Sequence, residues 1–186
     1  MPRQRTVPDE HLLEVALAVV RERGPEALTF GALAARVDLA ASTLVQRFGT
    51  KAGLLRAALT LAWDRLDAET ASATADAGGG AAGVVDLLVR LTGQYDPDDE
   101  FADQLLILRE DLRDPVLRAR GRAWIAMLVD AIEQRLEHDR GDARGLGALV
   151  VTHWQGSLTV WSFERTAPLH AAVRASLDEL LARLHA

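Results

Sequence analysis

No cysteine occurs in the 186 residues. That absence excludes disulfides, zinc–thiolate centres, thiol redox sensing and cysteine nucleophiles. Lysine is almost missing: Lys51 stands alone beside twenty arginines, within a total of 21 basic and 27 acidic residues. Aromatics are few, with four Trp, four Phe and one Tyr, and the five histidines (His11, His138, His153, His170, His185) are scattered. No HExxH pair, nucleophile elbow, phosphate loop with its lysine, or carboxylate cluster of metal-binding spacing appears, so an enzyme is not expected and no cofactor or metal is expected. The opening MPRQRTVPDE is polar and basic and does not read as a signal peptide. The longest uncharged run, Gly145 to Phe163, carries Thr152, His153, Gln155, Ser157, Thr159 and Ser162, too many polar groups for a lipid-facing span. No membrane partner is expected, and the cytoplasm is the expected compartment.

What is present is an apolar half built mostly from Ala, Leu and Val, enough for a sizeable core. The net charge of −6 is unevenly spread. Residues 1–60 hold eight basic against six acidic side chains, whereas 61–186 hold thirteen against twenty-one. A mildly cationic N-terminal part followed by an acidic remainder fits a nucleic-acid-reading end on an otherwise solvated protein. Periodicity is helical throughout, with no strand alternation and no repeat. The expected class is all-α with about nine helices.

The stretch TFGALAARVDLAASTLVQRFGTKAGLL, Thr29 to Leu55, is the most specific. Thr29 suits a helix N-cap, and Leu33, Ala34 and Val37 then share one face. Asp38 tolerates the left-handed conformation of a sharp turn, and Leu39 plugs that turn. Leu44 and Phe48, four apart, bury one side of the next helix. Ala41, Ser42, Val45, Gln46 and Arg47 remain on the other. This is the layout of a helix-turn-helix whose second helix enters the DNA major groove.

Thr29, Phe30, Leu33, Ala34, Leu39, Thr43, Leu44, Phe48, Lys51, Leu54 and Leu55 also stand at the spacing of the TetR family signature, and the chain resembles a TetR-type transcriptional regulator there. Three positions depart from that signature: Asp38 replaces the turn glycine, Ala40 the capping Ser or Thr, and Val45 the tyrosine of the recognition helix. The resemblance implies a DNA-binding domain over residues 1–60 and a helical effector-binding and dimerisation domain over 61–186. It implies double-stranded DNA, a second copy of the chain and a small-molecule effector as partners. The expected DNA-binding residues are Thr29, Ala41, Ser42, Thr43, Val45, Gln46, Arg47 and Lys51. Of these, Thr29, Thr43 and Lys51 would hold phosphates, and Ser42, Gln46 and Arg47 would read bases. For Lys51 the plain alternative is a solvated surface amine.

Around this reader, Thr6-Val7-Pro8-Asp9 matches a capping box opening a first helix that Gly24-Pro25 ends. Arg3 and Arg5 form a short basic arm ahead of it, which suits either minor-groove contact or a frayed terminus. The run Ala75 to Gly83 reads as a flexible linker after a long fourth helix. Later helices are expected at about 84–93, 99–112, 115–138, 143–165 and 168–186, with a polar loop at Gln94 to Pro97.

The effector cavity implied by the resemblance would be walled by Phe101, Leu105, Leu108, Trp124, Met127, Leu128, His153, Trp154 and Trp161, although each suits ordinary core equally. The eighth helix is apolar nearly all round and the ninth carries Leu169, Val173, Leu177, Leu180 and Leu184 as a stripe, so this pair is the expected dimer interface. Its members would be Val151, Gly156, Val160, Val173, Leu177 and Leu180. The competing description is a helical small-molecule-binding or adaptor protein with weakened DNA binding.

Overall fold

The computed structural model describes residues 7–93 and 100–185, leaving out the side chains of 100–104, 140 and 185. Among the described residues there are nine α-helices, one single-turn 3-10 helix and no strand. They are α1 (Asp9–Arg23), α2 (Phe30–Val37), α3 (Ala41–Phe48), α4 (Lys51–Asp76), α5 (Gly80–Thr92), α6 (Glu100–Arg113), α7 (Pro115–Arg140), α8 (Leu146–Glu164) and α9 (Leu169–His185). Arg3, Arg5, Thr6 of the expected capping box and the Gln94 to Pro97 loop lie outside the described residues. So do Asp98 and Asp99, ahead of α6.

The chain divides into two compact units. The first gathers the described residues up to Leu66 together with Ala102–Arg120. Its core holds Leu12, Ala16, Leu17, Val19 and Val20 of α1, Leu33 of α2, Leu44 of α3, and Leu54, Ala58 and Leu59 of α4, with Leu117 from the start of α7. Spacings of three and four along each helix put these side chains on one stripe, and the stripes close on each other. Gly24 ends α1 at φ 78°, a conformation that glycine adopts at no steric cost, and Pro25 then starts the 3-10 turn. Asp114 opens α7: its Oδ1 accepts from the Val116 amide at 2.8 Å.

The second unit gathers the described residues of Asp67–Phe101 and Gly121–Ala186. Here α9 packs on both α5 and α8. Val84, Leu87, Leu88 and Leu91 of α5, Leu128, Ile132 and Leu136 of α7, Val150, Trp154 and Leu158 of α8, and Val173 and Leu177 of α9 are buried. The buried stripe of α9 runs Leu169, Val173, Leu177, Leu181, while Leu184 is only half-buried.

The glycine-rich stretch is not the flexible linker its composition implies. Helix α4 runs to Asp76 and α5 begins at Gly80, leaving three residues between them. A Cβ on Gly83 would overlap the Gly78 carbonyl oxygen, and the Asp139 carboxylate accepts from the Ala81 amide at 2.9 Å. Gly83 thus serves close packing of backbone on backbone, and Gly80 leaves room for the Asp139 carboxylate. Similarly, a Cβ on Gly147 would lie 2.5 Å from the Val129 carbonyl oxygen, where α8 crosses α7.

Candidate nucleic-acid interface

The reader is built from local signals. Thr29 is extended (φ −128°, ψ 157°) and its Oγ1 accepts from the Ala32 amide at 3.0 Å, which caps α2. Asp38 ends α2 in the left-handed region at φ 52°, ψ 47°. Leu39 follows, half-buried against the core, and Ala40 opens α3 without any side-chain cap. Leu44 is fully buried, and half-buried Phe48 packs on the same core. These contacts fix the rotation of α3 and so decide which side chains face outward.

Four of the expected contact residues are exposed on that helix: Ala41, Ser42, Val45 and Gln46. They form two rows with a spacing of four, an apolar row of Ala41 and Val45 and a polar row of Ser42 and Gln46. Thr43 is half-buried, and Thr29 is exposed at the start of α2.

The two expected cationic contacts are engaged within the chain. Arg47 Nη1 donates to the Val7 carbonyl at 2.7 Å and to Asp9 Oδ1 at 3.0 Å, and only 23% of the side chain is exposed. The guanidinium therefore joins α3 to the beginning of α1. Lys51 Nζ donates to the Glu26 carbonyl at 2.9 Å and lies 3.2 Å from its carboxylate. Thr50 caps α4 beside it, accepting from the Gly53 amide at 3.0 Å. Sequence reasoning missed Asp9, Val7 and Glu26 as partners, because they lie 25 to 40 residues away and the only signal is opposite charge within one domain.

Two further networks brace the same unit. Arg36 pairs with Glu22 through both oxygens, at 2.5 and 3.2 Å; that hydrogen bond lowers the Glu22 carboxyl and raises the Arg36 guanidinium. Asp114 receives Arg56 Nε at 2.6 Å. Burial alone would raise the Asp114 carboxyl, but the hydrogen bonds from Arg56 and the amides of Val116 and Leu117, with the Arg56 charge, hold it below its usual value. An open groove of about 530 Å³ runs along α1 and α4, lined by Leu13, Ala57 and Leu61 with Glu10, Arg56 and Asp64 among its polar residues.

The expected effector-wall residues are dispersed. Trp124, Leu128, Trp154 and Trp161 are buried in the second unit. Their indoles are satisfied within the chain: Trp124 Nε1 donates to Thr70 Oγ1 at 2.9 Å, Trp154 Nε1 to Thr92 Oγ1 at 3.0 Å, and Trp161 Nε1 to the Ala167 carbonyl at 2.8 Å. The rings of Trp124 and Trp154 sit 6.4 Å apart at 45°, a packed aromatic pair. His153 Nε2 lies 2.8 Å from Ser176 Oγ and ties α8 to α9. Met127 is 40% exposed, Leu105 and Leu108 of the first unit are about half exposed, and the side chain of Phe101 lies outside the described part. Among the described residues no group of three or more His, Asp or Glu side chains is placed to hold a metal ion.

The expected interface residues also separate. Val151, Val173 and Leu177 are buried by the chain's own helices and Leu180 is half-buried. Gly156 is exposed with nothing within 4 Å of a would-be Cβ, and Val160 is exposed. Leu149 and Phe163, neither of them expected, join these two on the open side of α8. Among the described residues no helix is long and apolar enough to cross a membrane.

Residues 12–58 match the family model described as bacterial regulatory proteins, tetR family. Over that segment the chain is of the tetR type. The match runs from Leu12 of α1 to Ala58 of α4, including the whole of α2 and α3. No curated protein matches the chain. Solved structures do. A TetR transcriptional regulator from Legionella pneumophila has TM-score 0.70 at 15% identity, covering 96% of this chain and all of that one. A transcriptional regulator from Saccharomonospora viridis in complex with choline has TM-score 0.74 at 16% identity, covering 93% and 94%. The fatty acid degradation regulator FadR from Bacillus halodurans has TM-score 0.71 at 17% identity, covering 96% and 97%. At these identities the shared property is the fold: a TetR-type reader followed by a helical remainder.

Proposed function

We propose that this chain is a sequence-specific DNA-binding transcriptional regulator of the cytoplasm, with no enzymatic activity. In this reading it is a ligand-responsive repressor that meets a roughly palindromic operator as a homodimer. The observation that carries the reading is the exposed face of α3, raised on the buried side chains Leu33 and Leu44 within the segment that matches the tetR family. Residues 1–60 form the reader and 61–186 the effector and dimer domain. Two readers related by a two-fold axis would meet major grooves about 34–36 Å apart, or a multiple of that. The second copy would cover the open side of α8, where Gly156 and Val160 lie with Leu149 and Phe163; half-buried Leu180 of α9 extends it. The effector is a small organic molecule taken up by the second unit, as the choline complex of the Saccharomonospora viridis regulator illustrates for that protein. It acts only by preferring a state whose reader spacing misses the operator.

A salt titration of the full chain on a duplex from upstream of its own gene, against a scrambled duplex, tests this. A gap of about 10³-fold or more, with two chains or a multiple per site, is the expected result. Equal, weak and steeply salt-dependent binding to both, repeated on a randomised pool, would overturn it.

The ties of Arg47 to Asp9 and of Lys51 to Glu26 favour one alternative, a helical ligand-binding or adaptor protein with weakened DNA affinity. Lys51→Ala separates the two: the regulator loses a phosphate contact and its salt slope shallows, whereas residual affinity in the adaptor stays unchanged.

A further inference from the structure

The outward face of α3 carries no charge. Arg47, the one basic residue of α3, is turned onto the start of α1 by two hydrogen bonds. What α3 offers outward is the apolar row of Ala41 and Val45 beside the polar row of Ser42 and Gln46, with Val45 44% exposed. The chemistry of the major groove assigns these groups to different bases. Guanine is read chiefly by a bidentate Arg or Lys, adenine by Asn or Gln, and thymine by apolar contact with its C5-methyl group. A helix face without a cation lacks the usual guanine reader. A β-branched valine is also a poor choice for a solvent-facing helical position on propensity grounds alone. It is well shaped to cover a methyl group.

Resting on the regulator reading above, we propose that α3 selects A·T pairs by methyl readout. Val45, with Ala41 one turn before it, packs against thymine C5-methyl groups, while Gln46 holds an adjacent adenine. Arg47, held on Val7 and Asp9, stays out of the groove and leaves this neutral face toward it.

The test uses the full chain and a duplex selected from a randomised pool. The selected half-site is expected to carry thymine within the stretch contacted by α3. Replacing each thymine with uracil removes only the methyl group. Loss of the methyl under Val45 should weaken binding about fourfold, the factor for burying about one CH₂ equivalent. Val45→Ala should bind the thymine and uracil duplexes equally at that base, and keep its discrimination at the other thymines. Val45 is exposed and alanine is the better helix former, so the variant folds. Unchanged affinity of the parent protein for the fully uracil-substituted site overturns the proposal, as does a guanine run selected under α3. Failure to select any sequence overturns the regulator reading itself, and the methyl inference with it.

Discussion

Trp63 donates its indole N–H to Asp111 across 3.1 Å, joining α4 to α6 within the first unit. Burial raises the Asp111 carboxyl to about 6; the Trp63 hydrogen bond opposes this, and the nearby charges of Asp114 and Glu110 add to it. Folding therefore binds a proton between pH 3.8 and about 6, and stability from this group falls as pH rises through that window. Asp111→Asn removes the window while keeping an acceptor for Trp63. The variant should gain of the order of 1 kcal/mol over the parent at pH 7.5, discounted for partial exposure, and lose that gain progressively as pH falls from about 6 to 3.8. Thermal melts of both proteins from pH 7.5 down to 3.8 check this; a pH-independent difference would refute it.

Arg47 is the only basic side chain of α3, so the obvious expectation is that it reads a base. The structure leads to a different outcome for Arg47→Ala. The base sequence chosen from a random pool stays the same, because the guanidinium is held by Val7 and Asp9. Stability drops by about 1 kcal/mol, the scale of a partly exposed charge-assisted hydrogen bond. Duplex selection alongside chemical denaturation separates the two effects.

The two helices of the reader have opposite N-termini. Thr29 caps α2 through its hydroxyl, whereas Ala40 gives α3 nothing. Thr29→Ala should cost about 1 kcal/mol, and Ala40→Ser should add up to about 1 kcal/mol, since Ala40 already has the extended backbone of an N-cap. Urea midpoints at constant slope report both changes.

The reader was legible because its signals are local. Thr29, Asp38, Leu44 and Phe48 each act within a few residues, and their spacing alone gives the rotation of α3. The Arg47–Asp9 tie was not legible, since nothing in a sequence says which of several carboxylates a guanidinium reaches 38 residues away. Helix α8 was ambiguous for a different reason. Its apolar residues surround the helix, so the sequence cannot tell Val151, covered by its own chain, from Val160, left open. The Ala75 to Gly83 run misled because composition does not distinguish glycine used for freedom from glycine used for clearance.

On the open side of α8, Gly156→Ala and Phe163→Asp should move different observables. With no atom within 4 Å of its would-be Cβ, Gly156→Ala raises the stability of the dilute chain by up to about 1 kcal/mol. Phe163, 86% exposed, contributes little to the isolated fold, yet in the homodimer proposed above Phe163→Asp should weaken self-association at least tenfold by placing a charge on an apolar contact. Sedimentation equilibrium reads the association, and unchanged self-association in Phe163→Asp would remove this face from the interface.

Gly83→Ala should cost several kcal/mol, well beyond the helix-propensity gain of alanine, because the Gly78 backbone must move to admit the methyl group. Gly78→Ala, with nothing within 4 Å of its would-be Cβ, provides the control in the same turn. Comparing the melting temperatures of the two variants measures how tightly that turn is closed.

That closed turn gives the end of α4 very little rope. Three residues, Ala77 to Gly79, span at most about 11 Å when fully stretched. Asp139 already fastens the far side by accepting from the Ala81 amide. A displacement at Asp76 is therefore delivered to α5, and through α5 to the α9 helix packed on it. The second unit inherits a lever from residues whose composition reads as slack.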